Sequence, residues 1–546
     1  MTYDIIIIGS GIAGLMAAIE AKNETNRVAI ITKGNIFKSN SAIASGGINA
    51  VLDPKDNVEI QKHVDDTMKS AQGLGNKKAV TYLCKRAPHI IKKLCDFGVA
   101  FDKDENGKIL QRSFGGGSSK RTCFVGDSTG ASITQALIKK AKHIGVDFLV
   151  NQFVMDITKI DSYVSGVVVL KRIDSTVIVY PAKAIVLAGG GYAGIYRGFS
   201  TNAQDCTGDL LSVALRAGLS LKDMEFVQFH PTGFAKTSYL ISEAARGEGG
   251  YLVNSEGERF VDELGTRDVL ARSIFEQIRK GQKVYLDLRH IPLDVIEARL
   301  PSLYKNAYNQ VGIDISKELL EVKPVAHYSM GGIESPFTCS PLKGLFVCGE
   351  SASLGVHGAN RLGGNSLLEG AVFGELAGLK AKEYAHRREF LPIDYNVVIK
   401  DMSLVDRIFE GDCTKNFNAM RISVGKIMFT KAGIFRNQDS LQEAFDYMKY
   451  LRLESNTLHC IDKGKNNNVE LISILELRNA LELSEAIILG ALKREESRGA
   501  HHREDFPLTC KDNERHILIR EFQKGFFKVA YEDNKIVKFI KKILVD

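Results

Sequence analysis

Residues near the start of the chain have the types and spacing that bind phosphate. Gly9, Gly11 and Gly14 form a Gly-x-Gly-x-x-Gly motif. The first glycine permits a tight turn, the second lets the backbone approach a pyrophosphate, and the third lets a helix pack closely on a strand. The amino end of that helix would add N–H groups and the positive end of its dipole. The motif therefore predicts a dinucleotide site.

The elements around this motif are those that a dinucleotide-binding fold needs. The apolar run Ile5 to Ile8 predicts a strand, Leu15 to Ile19 a helix, and Val28 to Ile31 a second strand, which together make a βαβ unit. In NAD enzymes the second strand usually ends in an acidic residue that holds the ribose. Here the strand ends in Thr32 and Lys33, which disfavours NAD.

Further glycine-rich elements indicate a ligand that contacts several loops. The segments 45–47 and 188–190 read Ser-Gly-Gly and Ala-Gly-Gly, and FAD fits such a span better than a mononucleotide does. Glu350 follows a predicted strand, where its carboxylate could accept from a ribose or ribitol hydroxyl. Ser366 and Leu367 open a predicted helix, whose amino end could stabilise negative charge on a reduced flavin.

The pattern of the whole chain predicts an α/β fold. We expect a discontinuous Rossmann-like FAD-binding domain with an inserted α+β capping domain and a C-terminal helical domain. The predicted limits are 1–232 and 334–395 for the two parts of the FAD-binding domain, 233–333 for the capping domain, 396–515 for the helical domain and 516–546 for a tail. Strands are predicted at Asp147–Ile157, Tyr163–Leu170, Ser175–Tyr180 and Ala184–Ala188. In the tail, apolar residues between Ile536 and Leu544 alternate with lysines in a helical pattern, which suits an acidic membrane surface or a packed tail.

The composition excludes several classes of protein. Of 546 residues, 44% are hydrophobic and 25% charged, which is typical of a soluble globular protein. The net charge of +7 is spread along the chain, which argues against nucleic-acid binding. The nine Cys form no CxxC pair or metal-ligand cluster, so we expect no metal site and a reducing, cytoplasmic compartment. The longest apolar stretch, Ile5 to Ile19, is too short and too interrupted by glycine to span a bilayer.

Eight motifs occur in the order found in one known family. They are Gly9–Gly14, Ser45–Ala50, Phe226–Thr232 (Phe-Val-Gln-Phe-His-Pro-Thr), Arg246–Gly250, Arg267-Asp268, His327–Gly332, His357–Arg361 and Glu496–His501. From residue 1 to about residue 510 the chain resembles the flavoprotein subunit of succinate dehydrogenase and fumarate reductase, and its relative L-aspartate oxidase. The resemblance implies an FAD-dependent oxidoreductase that interconverts fumarate and succinate by hydride transfer at the flavin.

The resemblance also implies which residues hold FAD. They are Gly9, Gly11, Ile12, Ala13, Gly14, Thr32, Lys33, Asn40, Ser41, Ser45, Gly46, Gly47, Asp209, Glu350, Ser366 and Leu367. Respiratory members attach FAD covalently through a His six residues before the glycine pair. Asn40 occupies that place, and because an amide cannot make the bond, we expect dissociable, non-covalent FAD. Covalent attachment raises the flavin potential, which succinate oxidation needs more, so its absence favours fumarate reduction.

A second residue set is implied for a C4 dicarboxylate, which must be gripped at both ends. His230, Ser242, His327 and Arg361 would bind the substrate, and Arg267 would deliver the proton. Glu243 and Arg246 would form the relay that refills Arg267. His357 could either support the loop of Arg361 or contact substrate.

One alternative within the same family stays open. An L-aspartate oxidase would form iminoaspartate for pyridine-nucleotide synthesis, and non-covalent FAD and chain length fit it. The loop around Phe114, which offers no charge to an α-ammonium, resembles the fumarate reductase version. For that leading interpretation we expect electrons to come from a separate iron–sulfur subunit. We expect contact with a membrane only peripherally or through partner subunits.

Overall fold

The computed structural model describes residues 1–412, 415–523 and 526–532. The predicted amphipathic segment between Ile536 and Leu544 therefore lies outside the described residues. The predicted fold class is confirmed: a mixed sheet with a βαβ start is combined with an antiparallel capping sheet and a helical C-terminal region.

The largest sheet of the described chain carries the nucleotide-binding elements. Its parallel part is followed by an antiparallel meander, and one further strand, Leu345–Val347, pairs in parallel with Val177–Leu187. In spatial order its other strands are Asp147–Leu149, Val28–Ile31, Tyr3–Ile8, Val177–Leu187, Tyr163–Lys171 and Gln152–Ile160. All four residues Ile5 to Ile8 are buried, as expected for a strand covered on both faces.

Two predictions about these strands are wrong in detail. The segment from 147 to 157 is not one strand, because Asn151 has a positive φ of 56° and the chain turns there to pair first with Val28–Ile31 and then with Tyr163–Lys171. Conversely, the strands predicted at 175–180 and 184–188 form one strand, Val177–Leu187. Its first half pairs antiparallel with Tyr163–Lys171 and its second half pairs parallel with Tyr3–Ile8.

Helices cover this sheet and bring its loops together. They are Ile12–Ala21, Asn40–Ile43, Asn57–Ser70, Lys77–Asp96, Thr129–His143, Asp209–Arg216 and Asn365–His386. The first and last of them cross at very short range, because a Cβ on Gly374 would lie 2.4 Å from Ala13 O and one on Gly378 would lie 2.2 Å from Ala17 O. This crossing holds the start of Asn365–His386 against the glycine motif.

The capping region is built on a four-stranded antiparallel sheet. Its strands, in spatial order, are Val227–Phe234, Leu320–Ser329, Val284–Asp287 and Tyr251–Asn254. Its helices are Ala244–Gly247, Arg267–Arg279, Leu293–Arg299 and Pro301–Val311. The strand Val227–Phe234 crosses the limit predicted at residue 233, so the sheet includes residues on both sides of it.

The helical region contains Tyr395–Glu410, Phe417–Lys431, Gln438–Glu454 and Val469–Lys493. Two small sheets complete the described chain. One contains Ile48–Asn49, Thr122–Cys123 and Gln111–Arg112, and the other contains Ala352–Ser353, Gly332–Glu334, Leu221–Lys222, Ile517–Gln523 and Phe526–Tyr531. The predicted tail thus begins with a hairpin that pairs with Leu221–Lys222.

Candidate functional site

A large cavity lies at the carboxyl ends of the first two parallel strands, where ligands bind in open α/β sheets. Its empty volume is about 1460 Å³, including its open mouth. Twelve of the residues predicted to hold FAD line it: Gly9, Gly11, Ile12, Ala13, Thr32, Lys33, Asn40, Ser41, Asp209, Glu350, Ser366 and Leu367. A ligand in this cavity would face the amino ends of two helices, Ile12–Ala21 and Asn365–His386.

The glycine motif has the close approaches that the sequence predicts. Gly9 has a φ of 117°, and a Cβ there would lie 2.1 Å from Ala188 O. A Cβ on Gly14 would lie 2.0 Å from Gly9 O, so Gly14 allows the helix to pack against the turn. These positions must lack side chains for the turn and the helix to pack this closely, and such a turn is the one that a dinucleotide-binding motif needs.

Four predicted FAD residues, Gly14, Ser45, Gly46 and Gly47, are not part of the cavity lining. Gly46 lies against the ring of Phe114, since a Cβ on it would lie 3.0 Å from Phe114 Cζ. Gly47 lies against the backbone of Cys123, whose oxygen would be 2.6 Å from an added Cβ. Contact of these residues with FAD stays a prediction.

Lys33 ends the second strand in a buried cluster of charges. Its Nζ donates to Asp209 Oδ2, Glu476 Oε1 and Thr207 Oγ1, each at 2.7 Å. Burial would lower the pKa of Lys33, but the two carboxylates outweigh it and the pKa is raised. Glu476 belongs to the helix Val469–Lys493, so the cofactor cavity and the helical region share this ion pair. Nothing local in the sequence indicated that contact.

Glu350 reaches the cavity from the other side. Its Oε1 accepts hydrogen bonds from the backbone N–H of Ser329 at 2.9 Å and from Ser329 Oγ at 3.0 Å. Burial raises the pKa of the Glu350 carboxyl to about 7. A hydrogen bond donated by a ribose or ribitol hydroxyl would favour the charged form of the Glu350 carboxyl.

Asn40 has partners for both ends of its amide. Its Oδ1 accepts from the backbone N–H of Ala203 at 2.8 Å, and its Nδ2 donates to Asn202 Oδ1 at 3.0 Å and lies 3.2 Å from Cys206 Sγ. Burial raises the pKa of the Cys206 thiol to about 12, so this thiol is neutral.

The predicted proton-delivery residues lie together under the capping sheet. Arg267 begins the helix Arg267–Arg279, and its Nη2 and Nε lie 2.8 Å and 3.1 Å from Glu243 Oε2. The other carboxylate oxygen of Glu243 accepts from the Gly115 N–H at 2.6 Å. Burial would raise the pKa of Glu243, but Arg267 and Arg246 outweigh it and the pKa is lowered. The pair is therefore ionised.

Two arginines of the site have N–H groups without a partner among the described residues. Arg361 is 3% exposed, and its Nε and Nη2 are unpaired while its guanidinium lies 4.3 Å from the centroid of the Tyr328 ring. Burial and the charge of Arg267 lower the pKa of Arg361 to about 9. Arg246 donates through Nη1 to the Glu263 carbonyl, but its Nε and Nη2 are unpaired. Buried unpaired guanidinium groups are suited to an anionic ligand.

The two predicted substrate histidines face each other, with ring centroids 5.2 Å apart. His230 Nδ1 lies 3.1 Å from the Thr232 carbonyl oxygen, and His327 Nδ1 lies 2.7 Å from Thr201 Oγ1. Burial, followed by Arg267, lowers the pKa of both histidines well below the ordinary value. His327 also lines the large cavity, so it joins the cofactor cavity to the arginine cluster.

Ser242 and His357 have local partners. The Oγ of Ser242 accepts from the Ala244 N–H at 3.3 Å and stays partly exposed. His357 Nε2 lies 3.2 Å from both Glu369 Oε2 and the Tyr328 hydroxyl. His357 therefore supports the Tyr328 ring beneath Arg361.

Gln228 is a site residue that sequence reasoning missed. Its Oε1 accepts from Arg267 Nη1 at 3.3 Å, and its Nε2 donates to Asn360 Oδ1 at 2.8 Å and to the Arg361 carbonyl at 2.9 Å. It thus ties two predicted functional arginines together. Its place two residues before His230 in the Phe226–Thr232 motif was the available signal, since alternate residues of a strand share a face.

Within the described parts of the chain, no group of three or more His, Cys, Asp or Glu side chains is arranged to hold a metal ion. No helix there is both long and apolar enough to cross a membrane.

Comparison with known proteins assigns the family. Residues 4–367 match the FAD binding domain family, and residues 421–542 match the fumarate reductase flavoprotein C-terminal family. The cofactor of the cavity is therefore FAD.

Similar proteins align over nearly the whole chain. The chain is 38% identical to the succinate dehydrogenase flavoprotein subunit of Rickettsia felis, over 92% of this chain and 90% of that protein. It is 36% identical to the mitochondrial succinate dehydrogenase [ubiquinone] flavoprotein subunit of Oryza sativa subsp. japonica, over 94% and 86%. The solved structure of E. coli quinol fumarate reductase FrdA superposes with a TM-score of 0.93 at 33% identity, over 98% of this chain and 97% of that one. The chain belongs to the family of succinate dehydrogenase and fumarate reductase flavoprotein subunits.

Proposed function

We propose that this protein interconverts fumarate and succinate with FAD and acts in the direction of fumarate reduction. One observation carries the assignment: Arg361 and Arg246 present unpaired N–H groups beside the ionised Arg267–Glu243 pair and two neutral histidines. Such a site has cations for two carboxylates and neutral donors between them. A C4 dicarboxylate matches that charge pattern.

In this proposal each residue has a defined task. Arg361 grips one carboxylate through its two free N–H groups, and Ser242 adds a hydroxyl. His230 and His327, held neutral by burial, donate hydrogen bonds that polarise the substrate without adding charge. Bound FAD supplies the hydride chemistry.

Proton transfer is assigned to Arg267. A guanidinium is a poor acid in water, so Arg267 would give up its proton only transiently, to a carbanion that develops beside it, while the relay returns a proton to it. Glu243 accepts two N–H hydrogen bonds from Arg267, so a proton can pass through its carboxylate back to the guanidinium without resting there, and Arg246 extends the relay. Gln228 and the Gly115 N–H fix the orientation of the pair.

The FAD of this protein is proposed to be non-covalent. Asn40 occupies the position that the resemblance assigns to the attaching histidine, and its amide is engaged by Asn202 and Ala203. We propose that the cavity retains FAD by non-covalent contacts, among them those of the glycine motif, Lys33, Asp209 and Glu350.

A separate iron–sulfur subunit is proposed as the electron donor, because the matched relatives are named as flavoprotein subunits. L-aspartate oxidation is not favoured, because the similar proteins reported above are succinate dehydrogenases and a fumarate reductase. Phe114 supports this choice, since its uncharged ring packs against Gly46 and Gly363 at the place where an α-ammonium would need a carboxylate.

Anaerobic reoxidation of the dithionite-reduced holoprotein tests the function. Fumarate should reoxidise the flavin, and L-aspartate should not bleach the oxidised flavin. Bleaching by aspartate would move the assignment to L-aspartate oxidase, and failure of fumarate to reoxidise the flavin would contradict the proposal.

A further inference from the structure

A short segment after Phe199 runs alongside the strand that carries His327. The Ala326 N–H donates to the Phe199 carbonyl at 2.8 Å, and the Thr201 N–H donates to the Ala326 carbonyl at 3.0 Å. These two hydrogen bonds join backbone atoms, so they place Thr201 beside His327 independently of side-chain conformation. Thr201 and His327 both line the cofactor cavity.

The Thr201 hydroxyl contacts one nitrogen of the imidazole. Thr201 Oγ1 lies 2.7 Å from His327 Nδ1, and no hydrogen bond joins His327 Nε2 to another described residue. Burial and the charges of Arg267 and Arg361 lower the pKa of His327 well below its ordinary value. A neutral imidazole has a single N–H, so the partner of Nδ1 decides what Nε2 can do.

An anionic ligand distinguishes the two tautomers. If the Thr201 hydroxyl accepts from Nδ1–H, then Nε2 is a bare lone pair and repels a carboxylate. If the hydroxyl donates to Nδ1, then Nε2 carries the proton and can donate to a carboxylate or to a polarised substrate.

We propose that Thr201 is a positioning residue whose hydroxyl donates a hydrogen bond to His327 Nδ1. This bond fixes the tautomer in which Nε2 carries the proton and can donate to the dicarboxylate. The inference rests on the proposed function, because the dicarboxylate is the ligand that would accept the hydrogen bond from Nε2–H. Thr201 itself takes no part in the chemistry.

The neighbouring residue holds the segment in place. Asn202 Nδ2 donates to the His327 carbonyl at 2.8 Å, and Asn202 Oδ1 accepts from Asn40 Nδ2 at 3.0 Å. The segment is thus fixed on both sides, to the histidine strand and to the helix Asn40–Ile43 at the cavity wall. The backbone of Thr201 is therefore held beside the strand of His327, and its hydroxyl lies 2.7 Å from His327 Nδ1.

Two variants separate the hydroxyl from the shape of the side chain. Thr201→Val keeps the branched shape and removes the hydroxyl, whereas Thr201→Ser keeps the hydroxyl. Binding of succinate and malonate to the oxidised holoprotein can be followed by the change in flavin absorbance. We expect Thr201→Val to weaken binding about tenfold and to raise the KM for fumarate more than it lowers kcat, with FAD content unchanged. Thr201→Ser should stay within about twofold of wild type, and equal binding by both variants would overturn the proposal.

Thr237→Val is a matched control, because Thr237 is an exposed capping-region residue whose hydroxyl donates to Gln310 Oε1 at 3.1 Å. It should leave dicarboxylate binding unchanged.

A second measurement depends neither on the Thr201 variants nor on turnover. In wild-type protein labelled with ¹⁵N-histidine, with the His327 signals assigned through His327→Gln, we expect a protonated Nε2 and an accepting Nδ1. A proton on Nδ1 would overturn the Thr201 proposal even if fumarate is reduced. Absence of fumarate reduction would contradict the proposed function. The protonation of His327 Nδ1 and Nε2, measured by NMR, would still decide whether Thr201 has the proposed role.

Discussion

Arg267 and Glu243 form a buried ion pair in which two guanidinium nitrogens share one carboxylate oxygen, at 2.8 Å and 3.1 Å. The second carboxylate oxygen is held by the Gly115 N–H, and the remaining guanidinium nitrogen is held by Gln228. Neither member of the pair can turn without breaking several hydrogen bonds. Substitution of either residue should therefore affect the function of both.

Arg267→Gln should retain FAD and lose turnover, because it removes the proposed proton donor without reaching the cofactor cavity. A positioned general acid contributes about 10²–10⁴-fold, so kcat for fumarate reduction should fall by at least 10²-fold. Steady-state kinetics with reduced dye as donor would measure it. Arg279→Gln is a matched control, since Arg279 ends the same helix and pairs on the surface with Glu504 at 2.6 Å. Substantial turnover in Arg267→Gln would remove this residue from proton transfer.

Glu243→Gln tests whether the pair acts as a unit. The amide keeps the shape but cannot hold a proton for Arg267, so kcat should fall by about 10²-fold or more. The double variant with Arg267→Gln should be little worse than Arg267→Gln alone, because residues that act together are not additive. Full additivity in this double-mutant cycle would contradict the relay.

Arg361→Lys should weaken dicarboxylate binding, because an ammonium cannot replace a guanidinium that offers two N–H groups in one plane. We expect the KM for fumarate to rise at least tenfold. Arg388→Lys provides the control: Arg388 also lies over an aromatic ring, that of Tyr163 at 5.3 Å, but it is exposed. Equal KM values for Arg361→Lys and wild type would show that Arg361 does not hold the substrate.

Glu350 predicts a pH dependence of FAD affinity. Burial raises its pKa to about 7, and a cofactor hydroxyl that donates to the carboxylate favours its charged form. FAD binding should therefore be weaker below pH 7, where the apoprotein must first lose a proton, and constant above it. Between pH 8 and pH 6 the affinity should fall about tenfold. Fluorescence titration of apoprotein with FAD measures this, and Glu350→Gln should abolish the dependence; a slope retained in that variant would assign it to another group.

The location of the cofactor site could be read from the sequence, because it depends on local chemistry. The spacing of Gly9, Gly11 and Gly14 is set by a turn and a helix that follow each other directly. The structure places Gly9 and Gly11 in the cavity lining and packs Gly14 against Gly9. The argument against NAD also followed from a local feature, the absence of an acid after Ile31, whereas the argument for FAD used the glycine-rich segments at 45–47 and 188–190. Contacts made by residues far apart in the chain had no such signal.

Three examples show what was missed and why. Glu476 reaches Lys33 from a helix more than four hundred residues away, and an acidic residue on a helix is more often solvated. Thr201 contacts His327 because an isolated parallel bridge joins Ser200 to Ala326 on the histidine strand. The strand Val177–Leu187 was predicted as two strands, because its two halves pair with different neighbouring strands and differ in their pattern of apolar residues. Each of these depends on tertiary pairing, which single-sequence periodicity does not encode.

Acid denaturation should release the flavin. Asn40 has no group that could bond to the flavin, and its amide is already engaged by Asn202 and Ala203. After precipitation with trichloroacetic acid, FAD should therefore appear in the supernatant, and the denatured chain should show no flavin fluorescence on a gel. Flavin that stays on the denatured chain would contradict the assignment and would require a different attachment residue.

The ion pair between Lys33 and Glu476 should couple the helical region to cofactor binding. Lys33→Met leaves the buried Asp209 carboxylate without its cation, while Glu476 keeps its pair with Arg421. Breaking a buried pair by removing one partner costs about 3–5 kcal/mol. The melting temperature of the apoprotein should fall, and FAD affinity should fall with it. Glu476→Gln is the more telling variant, because Glu476 is not part of the cavity lining and contacts that lining through Lys33, while its other carboxylate oxygen pairs with Arg421 at 2.8 Å. Its FAD affinity should be reduced, whereas Lys431→Met, which removes a surface pair with Glu443 at 2.7 Å in the same helical region, should leave it unchanged. Unchanged FAD affinity in Glu476→Gln would mean that the helical region packs on the cavity wall without influencing the cofactor.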